Sequence, residues 1–177
     1  WSRRSIVRRP DARRRHKDCF SCESITTNSH EQQVDPERRM RVAHVITRLI
    51  LGGAQENTLF TCEDLLRQYD DDVLLITGPA LGPEGSLMDR ARNSGVSLEV
   101  IPAMRRAIHP SHDAVAYRHL KRVLREFKPD VVHTHSAKAG MLGRAAAWTL
   151  GVPAIVHGVH GAPYHPYQSA MARGFFR

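Results

Sequence analysis

Short runs of apolar, β-branched residues alternate along this chain with longer segments whose apolar residues recur every three or four positions. The short runs predict buried strands, and the longer segments predict amphipathic helices. The predicted strands lie at 41–47, 72–77, 98–101, 131–135 and 154–160, and the predicted helices at 54–69, 86–93, 112–127 and 137–150. Strands and helices therefore alternate from residue 41 onward.

Strands that are apolar on both faces and alternate with helices are typical of a parallel sheet covered on both sides. Since crossover connections are right-handed, the pattern predicts an α/β fold with a doubly wound, Rossmann-like parallel sheet. Ligands of such domains bind where the strands end. Candidate functional residues are therefore sought in the loops that follow the strands, which we call the carboxyl edge of the sheet.

Composition predicts one globular domain behind a basic tail. The chain has 177 residues, 41% of them hydrophobic, and a formal net charge of +8. Residues 1–39 are rich in arginine and show no periodicity, so we expect a disordered tail there and a domain over 40–177. The first 40 residues hold ten Lys or Arg against six Asp or Glu, which is half of the net charge. The body is thus only mildly basic, and we expect no nucleic-acid partner.

The apolar runs and the number of cysteines indicate the cellular location of the protein. No apolar run approaches the ~18 residues of a membrane span, so we expect no transmembrane helix. Three cysteines in a chain of this size fit a reducing compartment, and we expect a cytoplasmic protein. Cys62 lies on the apolar stripe of the first helix and is interpreted as a core residue.

The predicted carboxyl edge is rich in cationic and neutral polar groups. No Asp or Glu occurs between residues 131 and 177. Such an edge suits a phosphate or diphosphate, although a chance distribution of acids would give the same pattern. The groups placed there are Arg48, Arg105, Arg106, His109, His112, His133, His135, Lys138, His157, His160 and His165.

A glycine pair and two histidine motifs are the candidate chemistry. Gly52 and Gly53 would bring backbone N–H groups close to a phosphate at a helix N-terminus, although an ordinary strand-to-helix turn has the same pattern. His133 and His135 have a common zinc spacing, but no carboxylate occurs from residue 131 onward, so we expect no metal site. His160, at the end of the fifth strand, can orient a substrate or serve a structural role.

The tail contains a further set of metal-ligand types. His16, Cys19, Cys22 and His30 have the spacing H-x₂-C-x₂-C-x₇-H. One C-x-x-C without a second pair is a weak zinc signal, and coincidence in an arginine-rich tail is the favoured interpretation.

Three segments together resemble the N-terminal domain of glycosyltransferase family 4, which has the GT-B fold. They are HVITRLILGGAQENT at 44–58, KPDVVHTHSAKAGMLGRAAA at 128–147 and GVPAIVHGVHGAPYHPYQ at 151–168. The resemblance extends from about Met40 to the end of the sequence. It implies a retaining, metal-independent transferase without cofactors that moves a hexosyl group from a nucleotide-diphosphate sugar to a glycan or lipid-linked acceptor.

The resemblance also implies roles for individual residues. Gly52 and Gly53 would approach the donor phosphates, and His160 with Gly161 would lie near the transferred sugar, His160 as the catalytic residue. His135, Ser136 and Lys138 would line the acceptor side. The cations Arg105 and Arg106 are hypothesised to meet an acceptor phosphate. The segment at 128–147 is similar to bacterial enzymes of polysaccharide synthesis, and whether the protein contacts the inner membrane at its cytoplasmic face stays open.

A GT-B enzyme needs a second Rossmann-like domain for most of its donor site. We therefore expect this sequence to be the acceptor-side half, truncated at its C-terminus and inactive in transfer by itself. The alternatives are a non-catalytic module for phosphates or sugars, one subunit of a split enzyme, a hydrolase with metal on His133 and His135, and nucleic-acid binding through the tail.

Overall fold

The computed structural model describes residues 39–160 of the chain. Strands and helices alternate as predicted. Their bounds are β1 (Arg41–Ile46), α1 (Gly53–Gln68), β2 (Asp72–Thr77), α2 (Met88–Asn93), β3 (Ser97–Val100), α3 (Pro110–Phe127), β4 (Val131–His135), α4 (Ala137–Leu150) and β5 (Ala154–Gly158). The predicted tail, its metal-ligand motif, Gly161 and His165 lie outside the described residues.

The five strands form one parallel sheet in the order β3-β2-β1-β4-β5. The chain moves from β1 outward to β3 and then crosses to β4 on the other side of β1. Strands β1 and β4 are therefore the neighbours at which the winding direction reverses. A crevice for ligands opens at the carboxyl ends of two such strands.

Apolar side chains bury both faces of the sheet. On one face, Val45 belongs to a cluster that includes Leu120 of α3 and Ala146 of α4. On the other face, Leu75 belongs to a second cluster with Leu59 of α1. Helices therefore cover both faces, which confirms the predicted doubly wound fold class.

The thiol of Cys62 is part of the second cluster and is fully buried. Burial, together with the neighbouring carboxylate of Glu63, raises its pKa to about 12. A thiol that stays protonated is a poor nucleophile and metal ligand. The interpretation of Cys62 as a core residue is confirmed.

Several element bounds differ from the prediction by one or two residues. Helix α3 begins at Pro110, since proline needs no hydrogen-bonded N–H in the first turn of a helix. Helix α2 begins at Met88, because Ser86 forms an isolated bridge with Ile50 before it. Strand β5 ends at Gly158, so His160 lies two residues beyond the strand and not at its last position.

Gly78, which follows β2, marks the tightest approach of backbone segments at the carboxyl edge. Its N–H donates to the carbonyl oxygen of Thr47 at 3.2 Å. A Cβ atom at this position would lie 1.8 Å from the carbonyl oxygen of Met104 and 2.6 Å from that of Thr47. Three loops thus converge on a residue that has no room for a side chain.

We expect Gly78→Ala to destabilise the domain by about 1–3 kcal/mol, because the loops after β1 and β3 must move apart. The matched control is Gly53→Ala, since a Cβ at Gly53 has nothing within 4 Å. Urea denaturation followed by circular dichroism measures both free energies of unfolding. Equal stability of the two variants would contradict the close packing at Gly78.

Candidate functional site

The switch point between β1 and β4 collects several of the residues singled out in the sequence. The loop after β1 leads through Gly52 into α1, and β4 ends at His135 and leads through Ser136 into α4. Ile46 of β1 pairs with His135, so the two strands end side by side. The N-termini of α1 and α4 therefore begin from adjacent strands at one edge of the sheet.

The glycine pair leaves the start of α1 open. Gly53 has nothing within 4 Å of a would-be Cβ, and a Cβ at Gly52 would meet only the end of the flexible Gln55 side chain. Gly52 is in an extended conformation, with φ 168°, so its backbone does not require glycine. The first N–H groups of a helix have no partners within the helix. The packing of this domain does not explain the two glycines, and a ligand close to the backbone would.

Histidines from three segments form a hydrogen-bonded chain beside this loop. His44 Nδ1 and His135 Nε2 share a hydrogen bond of 3.1 Å, and His135 Nδ1 and His160 Nε2 share one of 2.9 Å. The ring of His133 lies 4.1 Å from that of His135 and 5.0 Å from that of His44, between centroids. We call His44, His133, His135 and His160 the histidine cluster.

Burial increases along this chain from the surface inward. His160 is exposed, whereas only 2% of His135 and none of His44 is accessible to solvent. Burial, followed by the neighbouring imidazoles, lowers the pKa of His135 to about 3. Burial and His133 lower that of His44 to about 3 as well. The inner rings are therefore neutral near pH 7, and each offers one N–H and one lone pair.

Gly158 makes room for the cluster. A Cβ on this residue would lie 3.0–3.3 Å from ring nitrogens of three histidines, which are His135, His160 and His133. A side chain here would push the rings apart. The absence of a side chain at the end of β5 is thus a condition for the observed arrangement.

Ser136 is held by the protein itself. Its φ of 64° is in the left-handed region, which is uncommon for a residue with a side chain. The hydroxyl lies 2.7 Å from Thr47 Oγ1, and Thr47 Oγ1 also accepts a hydrogen bond from the Ala139 N–H at 3.1 Å. Thr47 therefore ties the end of β1 to the first turn of α4, and sequence reasoning did not identify it.

Lys138 is also engaged within the domain. Its ammonium group forms an ion pair with Asp113 in the first turn of α3 and donates to the Ala107 carbonyl. Only 9% of the Lys138 side chain and 20% of that of Asp113 is exposed. The predicted acceptor-side residue thus joins α4 to the segment that leads into α3.

The expectation of a carboxyl edge without acids is wrong at two positions. Asp113 pairs with Lys138, and Glu84, in the loop after β2, lies 3.7 Å from Arg48. Arg48 also donates to the Leu81 carbonyl at 2.9 Å. The acid-free stretch between 131 and 177 did not predict these carboxylate partners of Lys138 and Arg48. Asp113 and Glu84 come from other segments of the chain that meet at the same edge.

The remaining predicted residues lie on the loop after β3. Arg105 and Arg106 are exposed there, and Arg105 Nε donates to the carbonyl of Pro102 at 3.4 Å. The side chain of Lys138 reaches the same loop at Ala107. His135 and His160 are in direct contact, whereas the two arginines belong to a separate, solvent-facing part of the edge.

His44 is a second member of the site, besides Thr47, that sequence reasoning missed. It lies inside an apolar strand, where a single histidine gives no signal of function. Parallel pairing places it opposite His133. The sequence could have indicated His44 only through an alignment of predicted strands β1 and β4 as neighbours, which places His44 beside His133.

A parallel, doubly wound α/β domain with helix N-termini and neutral imidazoles at its switch point defines a class of ligand-binding domain. Comparison with known proteins shows which family of such domains this chain matches. The chain matches the family described as glycosyl transferase 4-like domain over residues 52–177. The UDP-Gal:alpha-D-GlcNAc-diphosphoundecaprenol alpha-1,3-galactosyltransferase of Escherichia coli is 37% identical over 123 residues, which are 70% of this chain and 30% of that protein.

Two solved structures share the fold. A glycosyltransferase from Rickettsia africae has a TM-score of 0.56 at 14% identity, over 73% of this chain and 32% of its own. The UDP-GlcNAc 2-epimerase of Methanocaldococcus jannaschii has a TM-score of 0.51 at 16% identity, over 78% of this chain and 36% of its own. At these identities the likeness concerns the fold alone.

The family match extends over most of the chain, and the chain therefore belongs to the glycosyl transferase 4-like family. This confirms the family predicted from the three sequence segments. The chain spans 30% of the length of the E. coli relative.

The Lys138–Asp113 pair gives a stability prediction for the site. Burial alone would raise the pKa of Asp113, but hydrogen bonds from Lys138 and from the His109 N–H lower it overall. A lowered pKa means that ionised Asp113 stabilises the fold above its unfolded-state pKa of about 4, and that this contribution is lost as the pH falls further.

We expect Asp113→Asn to destabilise the domain by about 1–3 kcal/mol at pH 7, because the charge of Lys138 is left poorly paired. Below about pH 4 the difference from the parent should shrink. Urea unfolding at pH 7 and at pH 3.5 tests this, with Asp89→Asn, an exposed partner of Arg92, as the control. A constant difference at both pH values would contradict the ion pair.

Proposed function

We propose that this domain is the acceptor-side half of a retaining glycosyltransferase that moves a hexosyl group from a nucleotide-diphosphate sugar to a glycan or lipid-linked acceptor. The observation that carries the proposal is an unobstructed glycine loop beside a hydrogen-bonded imidazole pair at the β1–β4 switch point, in a chain of this family. The printed activity of the E. coli relative supports the reaction class.

The donor diphosphate would lie at the start of α1. Gly52 and Gly53 leave the backbone accessible, and the positive end of a helix dipole favours an anion. Negative charge grows on the nucleoside diphosphate as the glycosidic bond breaks, so backbone donors there stabilise the transition state more than the ground state. The larger part of the donor site would belong to a second Rossmann-like domain, in this protein or in a partner.

The acceptor sugar would lie against His160 and His135. The ring of His160 is exposed to solvent, and its Nε2 is hydrogen-bonded to His135, so its other ring nitrogen can form a hydrogen bond with a hydroxyl group. His160 would orient the acceptor or the transferred sugar. Ser136 and Lys138, which are engaged with Thr47 and Asp113, would shape this side without binding the acceptor through free hydrogen-bonding groups.

A lipid-linked acceptor would bring a diphosphate of its own. The E. coli relative is named for an acceptor of that type. Arg105 and Arg106 are exposed cations on the loop that Lys138 ties to α4, so they are placed to meet such a phosphate. Within residues 39–160, the helices are too short or too polar to cross a bilayer. We propose a cytoplasmic protein that reaches a membrane-held acceptor from the surface.

The donor site can be tested with UDP on the ¹⁵N-labelled chain. We expect amide shifts to change most at residues 52–55 and the change to be lost in Gly53→Val, whose branched side chain would occupy the diphosphate position. Gly53→Ala should retain weaker binding. Uridine without phosphates is the ligand control and should leave these amides unchanged.

Amide shifts centred on another region, or an unchanged response in Gly53→Val, would show that the glycine loop does not bind the donor. Retained shift dispersion in Gly53→Val would show that the variant is folded.

The acceptor phosphate site is tested by replacing Arg105 and Arg106 together with glutamine. We expect binding of a water-soluble, short-chain GlcNAc-diphosphoprenol to weaken about tenfold or more, since a hydrogen bond to a charged group contributes about 1.5–3 kcal/mol. Calorimetric titration at two salt concentrations measures this affinity. The matched control replaces Arg118 and Arg122, an exposed pair of arginines on α3.

Equal loss of affinity in both double variants would show that the effect comes from net charge and not from a specific contact with Arg105 and Arg106. Unchanged affinity in the first variant would exclude Arg105 and Arg106 from the acceptor site.

A further inference from the structure

The histidine cluster contains a set of metal-ligand groups that sequence spacing did not predict. His133 and His135 project from one face of β4, and His44 of β1 is paired directly with His133. The missing third ligand of the His-x-His motif is thus supplied by the neighbouring strand. Three histidines with an open fourth position are an established ligand set for zinc in proteins.

The distances are close to those of a metal site. One nitrogen of each of the three rings lies within 4.8 Å of those of the other two. Nitrogens bound to one tetrahedral zinc at about 2.0–2.1 Å are roughly 3.4 Å apart. His44 Nδ1 and His135 Nε2 are already 3.1 Å apart. The three nitrogens must therefore come closer together for one ion to bind all of them.

An unpartnered nitrogen gives a second indication. His44 is fully buried, and within the described residues its Nε2 has no hydrogen-bond partner. Such a group typically costs about 1–3 kcal/mol. An ion bound through Nε2, rather than through the Nδ1 that faces His135, would offset that cost.

The chemical type of the three ligand atoms determines which metal ions the site would prefer. The three ligand atoms are all imidazole nitrogens. Imidazole suits zinc, cobalt, nickel and copper, whereas magnesium and calcium prefer oxygen ligands. We propose that His44, His133 and His135 form a binding site for a divalent transition-metal ion of the Zn²⁺ class.

This site has a consequence for the proposed reaction, and that consequence alone rests on the proposed function. An ion bound at His135 Nε2 would replace the hydrogen bond to His44, whereas Nδ1 could keep its hydrogen bond to His160. The family resemblance implies transfer without a metal. The bound ion would therefore not be a cofactor of the transfer.

The test uses the full chain without an affinity tag, stripped of metal, with Cys19→Ser and Cys22→Ser in every sample because that pair could bind zinc by itself. Co²⁺ is added, and the visible absorption of tetrahedral cobalt is followed. Zn²⁺ is then titrated to displace it. We expect one equivalent of Co²⁺ to bind, Zn²⁺ to replace it, and Mg²⁺ to have no effect.

Two ligand variants and a control locate the site. His133→Asn changes a half-buried ring, and His44→Phe changes the buried one, so the first variant keeps the test valid if the second fails to fold. Each should weaken binding by at least about tenfold, since loss of even a supporting group around a metal typically costs 10–100-fold. The control replaces His109 and His112, whose rings stack at 4.4 Å outside the cluster.

Absence of binding at one equivalent would overturn the proposal. So would unchanged affinity in His133→Asn, or a loss of affinity in the control equal to that in His133→Asn. The titration contains neither nucleotide nor sugar, so its failure would not bear on the glycosyltransferase assignment.

Discussion

The in-register pairing of β1 with β4 is the constraint on which the site depends. Since neighbouring residues of a parallel pair point to the same face, the match of His44 with His133 brings together rings that are far apart in sequence. The same register ends β1 beside His135, so the loops into α1 and α4 begin next to each other. A slip of one residue would turn His44 to the opposite face and separate it from His135.

Charge at the carboxyl edge is organised in local pairs. Lys138 and Arg48 each have a carboxylate partner from a different loop, so they fasten the loops together and contribute less free positive charge than their number suggests. In the proposed function, an anion would therefore be attracted mainly by the helix N-termini and by the exposed Arg105 and Arg106. Burial lowers the pKa of His44 and of His135, and in this structure both rings act through hydrogen bonds. In the proposed function, the region of the helix N-termini and arginines would bind phosphates, and the region of the histidine rings would bind hydroxyl groups.

The order of elements and the doubly wound sheet could be predicted from the sequence, because hydrophobic periodicity is a local signal. The family was predicted from the resemblance of three segments to known glycosyltransferases. The sequence also placed His133 and His135 on one face, since that follows from the two-residue period of a strand. It could not predict the role of His44 or the partner of Lys138, because both depend on which strands and loops become neighbours. The predicted end of β5 at His160 was wrong by two residues. The strand ends where its pairing with β4 ends, and the composition of the segment does not show this.

The central claim is that strand pairing joins His44, His135 and His160 into one hydrogen-bonded chain at the switch point. Scalar couplings between ¹⁵N nuclei across hydrogen bonds measure this directly in the metal-free, uniformly labelled protein. The account predicts a coupling between His44 Nδ1 and His135 Nε2, with both rings remaining neutral at pH 6. Absence of that coupling, together with a His44 ring that titrates like an exposed histidine, would contradict the assembly of the site.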